Sequence, residues 1–290
     1  RADHFSIEKY MRGKEYVEFC IDYCKTNKID IFIPKFCLYE ISENRDKFEE
    51  IGVKVMIAAD HKLVKLLNNK ALFSKDCNKY GIVDIPEYYN VHNVAEFEDA
   101  YKLLKKNNKT VCYKPAVSEG GLEFRVVYGS KEENERYKLE NRISYSRACK
   151  VLKKKGSFNS LMVMEFLDGI EYSIDCLAKD GNLLMAIPRK KVGWYRMLEN
   201  NAELIKIAKE ITEKYGFSYV YNIQVRYSNG IPKLLEVNPR MSGGLNTSCM
   251  SGVNFPYLAL RLLENKEIEL PVPDFSIVEK LEETSNIGKV

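Results

Sequence analysis

Histidine is scarce in this chain: three residues, His4, His61 and His92, among 290. All three lie in the N-terminal third, so chemistry centred on a histidine base is not expected. No apolar run approaches the ~18 residues that a membrane span requires, so no membrane partner is expected. Charge asymmetry is also missing. Forty-five Lys and Arg face 41 Asp and Glu, a net charge of +4 spread without blocks. That balance gives no case for a nucleic-acid partner, though it suits an anionic small substrate. The eight cysteines contain no C-x-x-C pair, which argues against a zinc site or disulfide framework and for reduced, mostly buried thiols in a cytoplasmic protein. No signal or transit segment is legible ahead of the first helical pattern, and there are no internal repeats or low-complexity tracts.

What is present is an ordinary globular composition, 45% hydrophobic and 30% charged, at a length suited to two domains or one domain with a large insertion. Residues 14–25 carry a helical apolar face. Ile29 to Phe36 and Val53 to Ala58 are β-branched runs without alternation, as in buried parallel strands. One helix is expected over 61–80, stopped by Gly81, and another over 93–106 with Asn93 as its N-cap. Strands at 110–114 and 123–128, a helix over 131–155 and a strand at 161–166 suggest a small α+β unit inserted between two larger pieces. Strands at 171–178 and 182–188, a helix at 199–215, a hairpin at 219–237 and a helix at 256–265 complete the order.

The hairpin is the most informative stretch. Tyr219 to Tyr227 and Ile231 to Val237 flank Ser228-Asn229-Gly230, taken as a three-residue loop. That loop puts Gln224 opposite Leu234 and diagonal to Glu236, with Tyr221, Ile223, Val225, Leu235 and Val237 on the core face. The other face then carries Asn222, Gln224, Arg226, Glu236 and Asn238. Oxygen donors converging from two strands, with a single carboxylate among them, suit a magnesium ion that is also held by nucleotide phosphates. Arg240, two residues on, could offer its guanidinium to a phosphoryl or carboxylate oxygen. The alternative is the solvated outer face of an edge hairpin.

Two more constellations precede it. In Thr110 to Val126 (TVCYKPAVSEGGLEFRV) Lys114 ends a strand ahead of a Gly-rich loop, a phosphate cradle or simply a Gly-Gly hairpin turn. It is not a Walker A loop. In Met162 to Leu177 (MVMEFLDGIEYSIDCL) a strand ends at Glu165-Phe166-Leu167, turns at Asp168-Gly169 and continues as alternating Glu171, Ser173 and Asp175. This crossing could present backbone groups to an adenine edge, or could be an inter-domain linker.

Taken in order, Lys70 in NNKALF, Lys114-Pro115, E-F-L-x-G-x-E, Gln224 and E-V-N-P-R resemble the signature of the ATP-grasp superfamily, from about Ile29 to Leu263. The similarity is closest to its carbamoyl-phosphate-synthetase-like branch. The resemblance implies an α/β fold of two α+β lobes clasping ATP, preceded by a partial Rossmann-like domain. The expected divisions are 1–69 for that partial domain, 70–168 for the lid and 169–290 for the metal-bearing lobe. By the same similarity, Lys70 and Lys114 contact phosphates and the loop with Ser118, Gly120 and Gly121 folds over them. Glu165, Phe166 and Leu167 meet adenine, and Glu171 meets ribose. Gln224, Glu236 and Asn238 hold Mg²⁺ (or Mn²⁺), and Arg240 holds the acyl phosphate. Arg189 and Lys190 are further candidates for phosphate or substrate contact, or else a solvated basic strand end. The family's first strand and Gly-rich turn are expected ahead of Arg1, and 290 residues hold no second grasp unit. The implied activity joins a carboxylate to an amine or thiol at the expense of ATP. Bicarbonate activation and a non-catalytic nucleotide-binding module are the alternatives, and homodimerisation is left open.

Overall fold

Three sheets carry the chain, which is described from a computed structural model over residues 4, 7, 9–117, 123–130, 133, 135 and 141–281. The first is small. β1 (Ile31–Phe32) and β2 (Lys54–Val55) pair in parallel, flanked by α1 (Gly13–Thr26), α2 (Leu38–Glu43) and α3 (Arg45–Glu49). Val17, Cys20 and Cys24 bury the inward stripe of α1, as their three- and four-residue spacing dictates. Only two residues of each apolar run keep the ladder.

The single helix expected over 61–80 is two, α4 (His61–Asn68) and α5 (Lys70–Asn78). Asn69 leaves the helical conformation, with φ −104° and ψ 96°, and its side chain accepts the Leu72 amide. An asparagine caps a new helix better than it continues an old one. The break turns Lys70 onto the first turn of α5. Asn93 caps α6 (Val94–Lys106) as expected, accepting from the Glu96 amide.

The second sheet has the order β3-β7-β4-β5-β6, with β3 (Tyr88–Val91), β4 (Val111–Pro115), β5 (Arg125–Tyr128), β6 (Arg142–Ser144) and β7 (Leu161–Glu165). Of the helix expected over 131–155 only the last part is present as α7 (Tyr145–Lys155); the three residues before it form β6, parallel to β5, and most of 131–140 lies outside the described residues. One face of this sheet packs Val111, Tyr113 and Val163 against Phe97, Leu104 and Leu152 of the helices. The other presents Cys112, Val126 and Met164 with Phe124 and Phe166 beside them. The pleat alone separates these sets, because neighbouring residues of a strand point to opposite faces.

The third sheet, β12-β11-β8-β9-β10-β13, is the largest. It comprises β8 (Glu171–Lys179), β9 (Asn182–Val192), β10 (Tyr195–Leu198), β11 (Tyr219–Ser228), β12 (Ile231–Asn238) and β13 (Val278–Lys280). Beneath it lies α8 (Ala202–Tyr215), whose Leu204, Ile207 and Ile211 meet Ile174, Tyr221, Ile223 and Val225 in a core shared with α1, α2 and α4. Over one end of the opposite face sit α9 (Leu245–Cys249) and α10 (Phe255–Leu263), packed on Leu177, Ile187 and Val220. The rest of that face stays uncovered by helices and polar. Among the described residues no helix is long and apolar enough to cross a membrane, and the eight cysteines are free thiols.

Candidate functional site

The hairpin of β11 and β12 differs from expectation at both ends. Ser228 pairs with Ile231, so the loop is the two residues Asn229 and Gly230. Their φ values of 52° and 80° are those of the turn that Asn-Gly favours, since its twist matches the strands it joins. The register then shifts between Gln224 and Val225: Val225 pairs with Leu234, whereas Gln224 pairs with Glu236. Leu235 is the extra residue of a β-bulge. Gln224 therefore stands directly opposite Glu236, not Leu234. The core takes Leu234, 1% exposed, in place of Leu235.

The bulge ties this strand to the lid. The carbonyl of Leu235, which has no counterpart in the ladder, lies 3.5 Å from the Lys114 Nζ at the end of β4. Lys70 Nζ reaches to 3.6 Å from Glu236 Oε2, and Asn238 Nδ2 donates to Glu236 Oε1 at 3.0 Å. Lys70, Lys114, Gln224, Glu236 and Asn238, from three separate stretches of chain, thus meet at one end of the hairpin. Burial holds the Lys114 ammonium below the ordinary lysine pKa; Glu236 pulls it upward, and the charge of Lys70 adds to the depression. Two lysines pressed together beside one carboxylate leave a local excess of positive charge, the condition under which a phosphate chain is attracted.

Arg240 follows Pro239 into the turn, where its Nη1 donates to the carbonyl of Met241 at 3.0 Å and its other donors remain available. Arg189 is not the solvated strand end that its sequence context allowed. It is 4% exposed, with Nη2 donating to Asp175 Oδ2, Ser173 Oγ and Ser242 Oγ at 3.2–3.3 Å. Gly244 rests on it: a Cβ at that position would stand 2.5 Å from Arg189 Nη1. Asn222, also fully buried, donates to Asp175 Oδ1 at 2.7 Å and Ser248 to Asp175 Oδ2 at 2.6 Å. Asn222 and Arg189 therefore belong to one buried network under the small-residue turn. Lys190 lies on the opposite side of the strand, 3.4 Å from Glu199, away from Lys114 and Glu236.

The crossing strand is equally well tied. The Glu165 carboxylate, 2% exposed, receives Lys109 at 2.7 Å, Lys233 and the amide of Glu87. Burial alone would raise its pKa, yet these donors hold it below the usual glutamate value. The Leu167 carbonyl accepts Arg226 Nη1 at 3.1 Å, and the same guanidinium reaches Glu171 at 2.5 Å, with Lys191 on its other oxygen. Phe166 lies with Phe124, beside Cys112, Val126 and Met164, on the lid face that continues from Lys114. Ser118, Gly120 and Gly121 lie outside the described residues.

Arg226, Lys191, Lys233, Ser173 and Asp175 were not singled out as ligands from sequence. Their signal was there, as polar residues at every second position of three neighbouring strands: Glu171-Ser173-Asp175, Arg189-Lys191 and Asn222-Gln224-Arg226. Register stacks these on one face, Asp175 beside Asn222, Ser173 beside Gln224 and Arg189. Nε atoms of Arg189 and Arg226 are buried there without an acceptor among the described residues. Such leftover donors are uncommon in native interiors.

For a cation the donor set is lean. Among the described residues no group of three or more His, Cys, Asp or Glu could hold a metal by itself. One carboxylate and two amides fit an ion that brings phosphate oxygens with it, as Mg²⁺ does.

Comparison with known proteins agrees with this layout. Residues 157–285 match the family model described as ATP-grasp in the biosynthetic pathway with Ter operon. The carbamoyl phosphate synthase large chain of Sulfolobus acidocaldarius is 25% identical over 222 residues, 74% of this chain and 20% of that one. The chain thus spans about a fifth of the length of that relative. Among solved structures, the biotin carboxylase domain of Hydrogenobacter thermophilus 2-oxoglutarate carboxylase, in complex with MgADP, ADP and bicarbonate, superposes with a TM-score of 0.61. It is 17% identical and the match covers 88% of this chain and 58% of that one. D-alanine–D-alanine ligase from Bacillus anthracis, complexed with ATP, gives a TM-score of 0.54 at 15% identity, over 86% and 84% of the two chains. With the hairpin and these matches together, the chain is similar to ATP-grasp proteins, in sequence over residues 157–285 and in fold over most of its length.

Proposed function

We propose that the protein is an ATP-dependent ligase that activates a carboxylate as an acyl phosphate and joins it to an amine or thiol, releasing ADP and phosphate. The observation that carries this is the meeting of Lys70, Lys114, Gln224, Glu236 and Asn238 at one strand end, with Arg240 entering the adjoining turn. In the first step a carboxylate oxygen attacks the γ-phosphorus and the bond to the β-phosphate oxygen breaks. In the second the nucleophile attacks the acyl carbon and phosphate leaves. Neither step needs a covalent partner from the protein, so position and charge suffice.

The residues divide the work by place. Lys70 and Lys114 hold the phosphate chain, whose anionic oxygens favour the charged form of both lysines. The apolar lid face formed by Cys112, Val126, Met164 and Phe166 receives the adenine, with Glu165 to Leu167 at its edge. Glu171 meets the ribose once Arg226 or Lys191 gives way. Gln224, Glu236 and Asn238 would hold magnesium, with manganese an acceptable substitute; when bound, the ion neutralises charge on the β- and γ-phosphates. Arg240 steadies the acyl phosphate. Residues 70–168 act as the lid that keeps water from it, and 169–290 as the lobe beneath.

The test is an ADP-release screen over carboxylic acids paired with amino acids, with magnesium present, on the wild type and Glu236→Ala. The variant should fold yet lose ~10²-fold or more of turnover, as when one charge-stabilising contact is removed. Full activity in the variant refutes the assignment. Turnover that requires bicarbonate and no organic acid redirects the reaction to bicarbonate activation, and tight nucleotide binding with no turnover on any pair indicates a binding module.

A further inference from the structure

The reaction site opens into a cavity of about 1040 Å³ that runs past the end of β12 to the helix-covered back of the lid and across to residues 35–40. Its lining is one-sided in charge: eight Lys or Arg against three Glu. Of the eight, Lys70 pairs with Glu236 and Lys155 with Glu123. Lys35, Arg125, Arg147 and Arg240 have no carboxylate within 4 Å among the described residues. Arg125 and Arg240 each spend one nitrogen on a nearby backbone carbonyl, Phe124 at 2.7 Å and Met241 at 3.0 Å.

These cations are not the phosphate lysines over again. Arg125 pairs with Tyr113 across β4 and β5, and Tyr113 packs into the helix-side core. Lys114, the next residue, belongs to the opposite face, because a strand alternates. Arg125, with Arg147 on α7, therefore lines the cavity from the opposite face of that sheet to Lys114. Volume points the same way. Pockets of about 300–1000 Å³ take molecules of many heavy atoms, so a cleft of this size has room for a substrate larger than bicarbonate or acetate beside phosphates held at Lys70 and Glu236. Unpaired guanidinium groups turned into one cleft repel each other and favour a ligand that brings the missing negative charge.

We infer that the substrate taken by this cleft is a small molecule with a second anionic group, a carboxylate or a phosphate, held by Arg125 and Arg147 while its reacting carboxylate lies at Arg240. The inference rests on the ligase reading for the role of Arg240 only.

Calorimetry on the full chain, saturated with Mg-ATP analogue at low ionic strength, compares acetate with succinate and glycolate with phosphoglycolate. The member of at least one pair that carries the second anionic group should bind ~10-fold or more tightly than its partner, and the better pair identifies the group recognised. The double variant Arg125→Gln/Arg147→Gln, both sites at least partly exposed, should erase that advantage while leaving analogue affinity within about twofold. Equal binding of the two members of each pair overturns the inference. So does a preference for the second anionic group that survives the double variant, or a loss that extends equally to the nucleotide. Because binding is read without turnover, this result is separable from the ADP-release test: the preference for the second anionic group can stand while Glu236→Ala refutes the ligase, and the reverse.

Discussion

A carboxylate buried as deeply as that of Glu165 survives only if its neighbours are charged, and here two ammonium groups and a backbone amide attend it. Removing one partner of an isolated buried pair costs about 3–5 kcal/mol. Lys233→Met leaves Lys109 and the Glu87 amide in place, so the expected loss is smaller, about 2 kcal/mol, read by urea unfolding at pH 7. The pH dependence has a definite sign. The folded-state pKa of Glu165 is depressed, so its stabilisation is complete above the ordinary glutamate value of about 4.3 and is lost as pH falls through the folded value. The stability gap between wild type and Glu165→Gln should therefore be widest near neutrality and close progressively below about pH 4. A gap independent of pH would remove the ion pairs from the explanation. The sequence marked Glu165 as a nucleotide neighbour, through E-F-L-x-G-x-E, but not its partners. Lys109 lies 56 residues before it and Lys233 68 residues after, and no local pattern carries such a pairing.

At the level of the element, the hairpin shows how a wrong turn and a missed bulge can offset each other. The two-residue loop moves the pairing by one residue from that of the expected three-residue loop and the extra Leu235 by one more, so the total of two restores which residues share a face but not which stand opposite. Asn222, Gln224, Glu236 and Asn238 therefore share a face as the alternation implied, whereas Leu234 and Leu235 exchange places. Asn-Gly was the readable clue for the turn. Nothing in Leu-Leu says which leucine is the extra one, since both are apolar and the difference is set by Lys114 and the core. Deleting Leu235 should keep Gln224 opposite Glu236 and keep the fold, but straighten the strand and remove the carbonyl beside Lys114. The expected result is a melting temperature close to wild type with turnover down ~10-fold or more, as bulges beside active sites serve to aim side chains. Unchanged turnover would make the bulge incidental. Elements with weak or no pattern were lost altogether: β13 has three residues, β10 four with mixed exposure, and α9 five beside two glycines.

Across the whole molecule residues 70–168 meet the large sheet through scattered polar contacts and through Phe73, Cys77 and Val83, which join its core. Lys233 meets Glu165, Lys114 approaches Leu235, the Leu234 amide donates to Asp84 at 2.8 Å, and Arg226 holds Leu167. The order of the polar clusters was legible along the chain, while their closeness in space depends on contacts between residues far apart in sequence. A ligand bridging both lobes should stabilise them jointly. At 100 times its dissociation constant Mg-ATP adds about 2.7 kcal/mol, which corresponds to a rise of roughly 5–10 °C in Tm at ~2–4 °C per kcal/mol. Chelation of magnesium should reverse most of that rise in the wild type and little of it in Glu236→Ala, whose rise is already small. A shift of equal size in both proteins would separate nucleotide binding from Glu236.

Gly244 and Arg189 stand 55 positions apart, yet the backbone of one lies on the guanidinium of the other. Asp175 and Ser173 fix that guanidinium from below, so the floor cannot sink to admit a larger residue above it. A shorter side chain at 189 would in turn strand the Asp175 charge in a pocket with no counter-ion. The two positions are consequently coupled: a larger residue at 244 requires the Arg189 guanidinium to move, and moving it loosens its hold on Asp175.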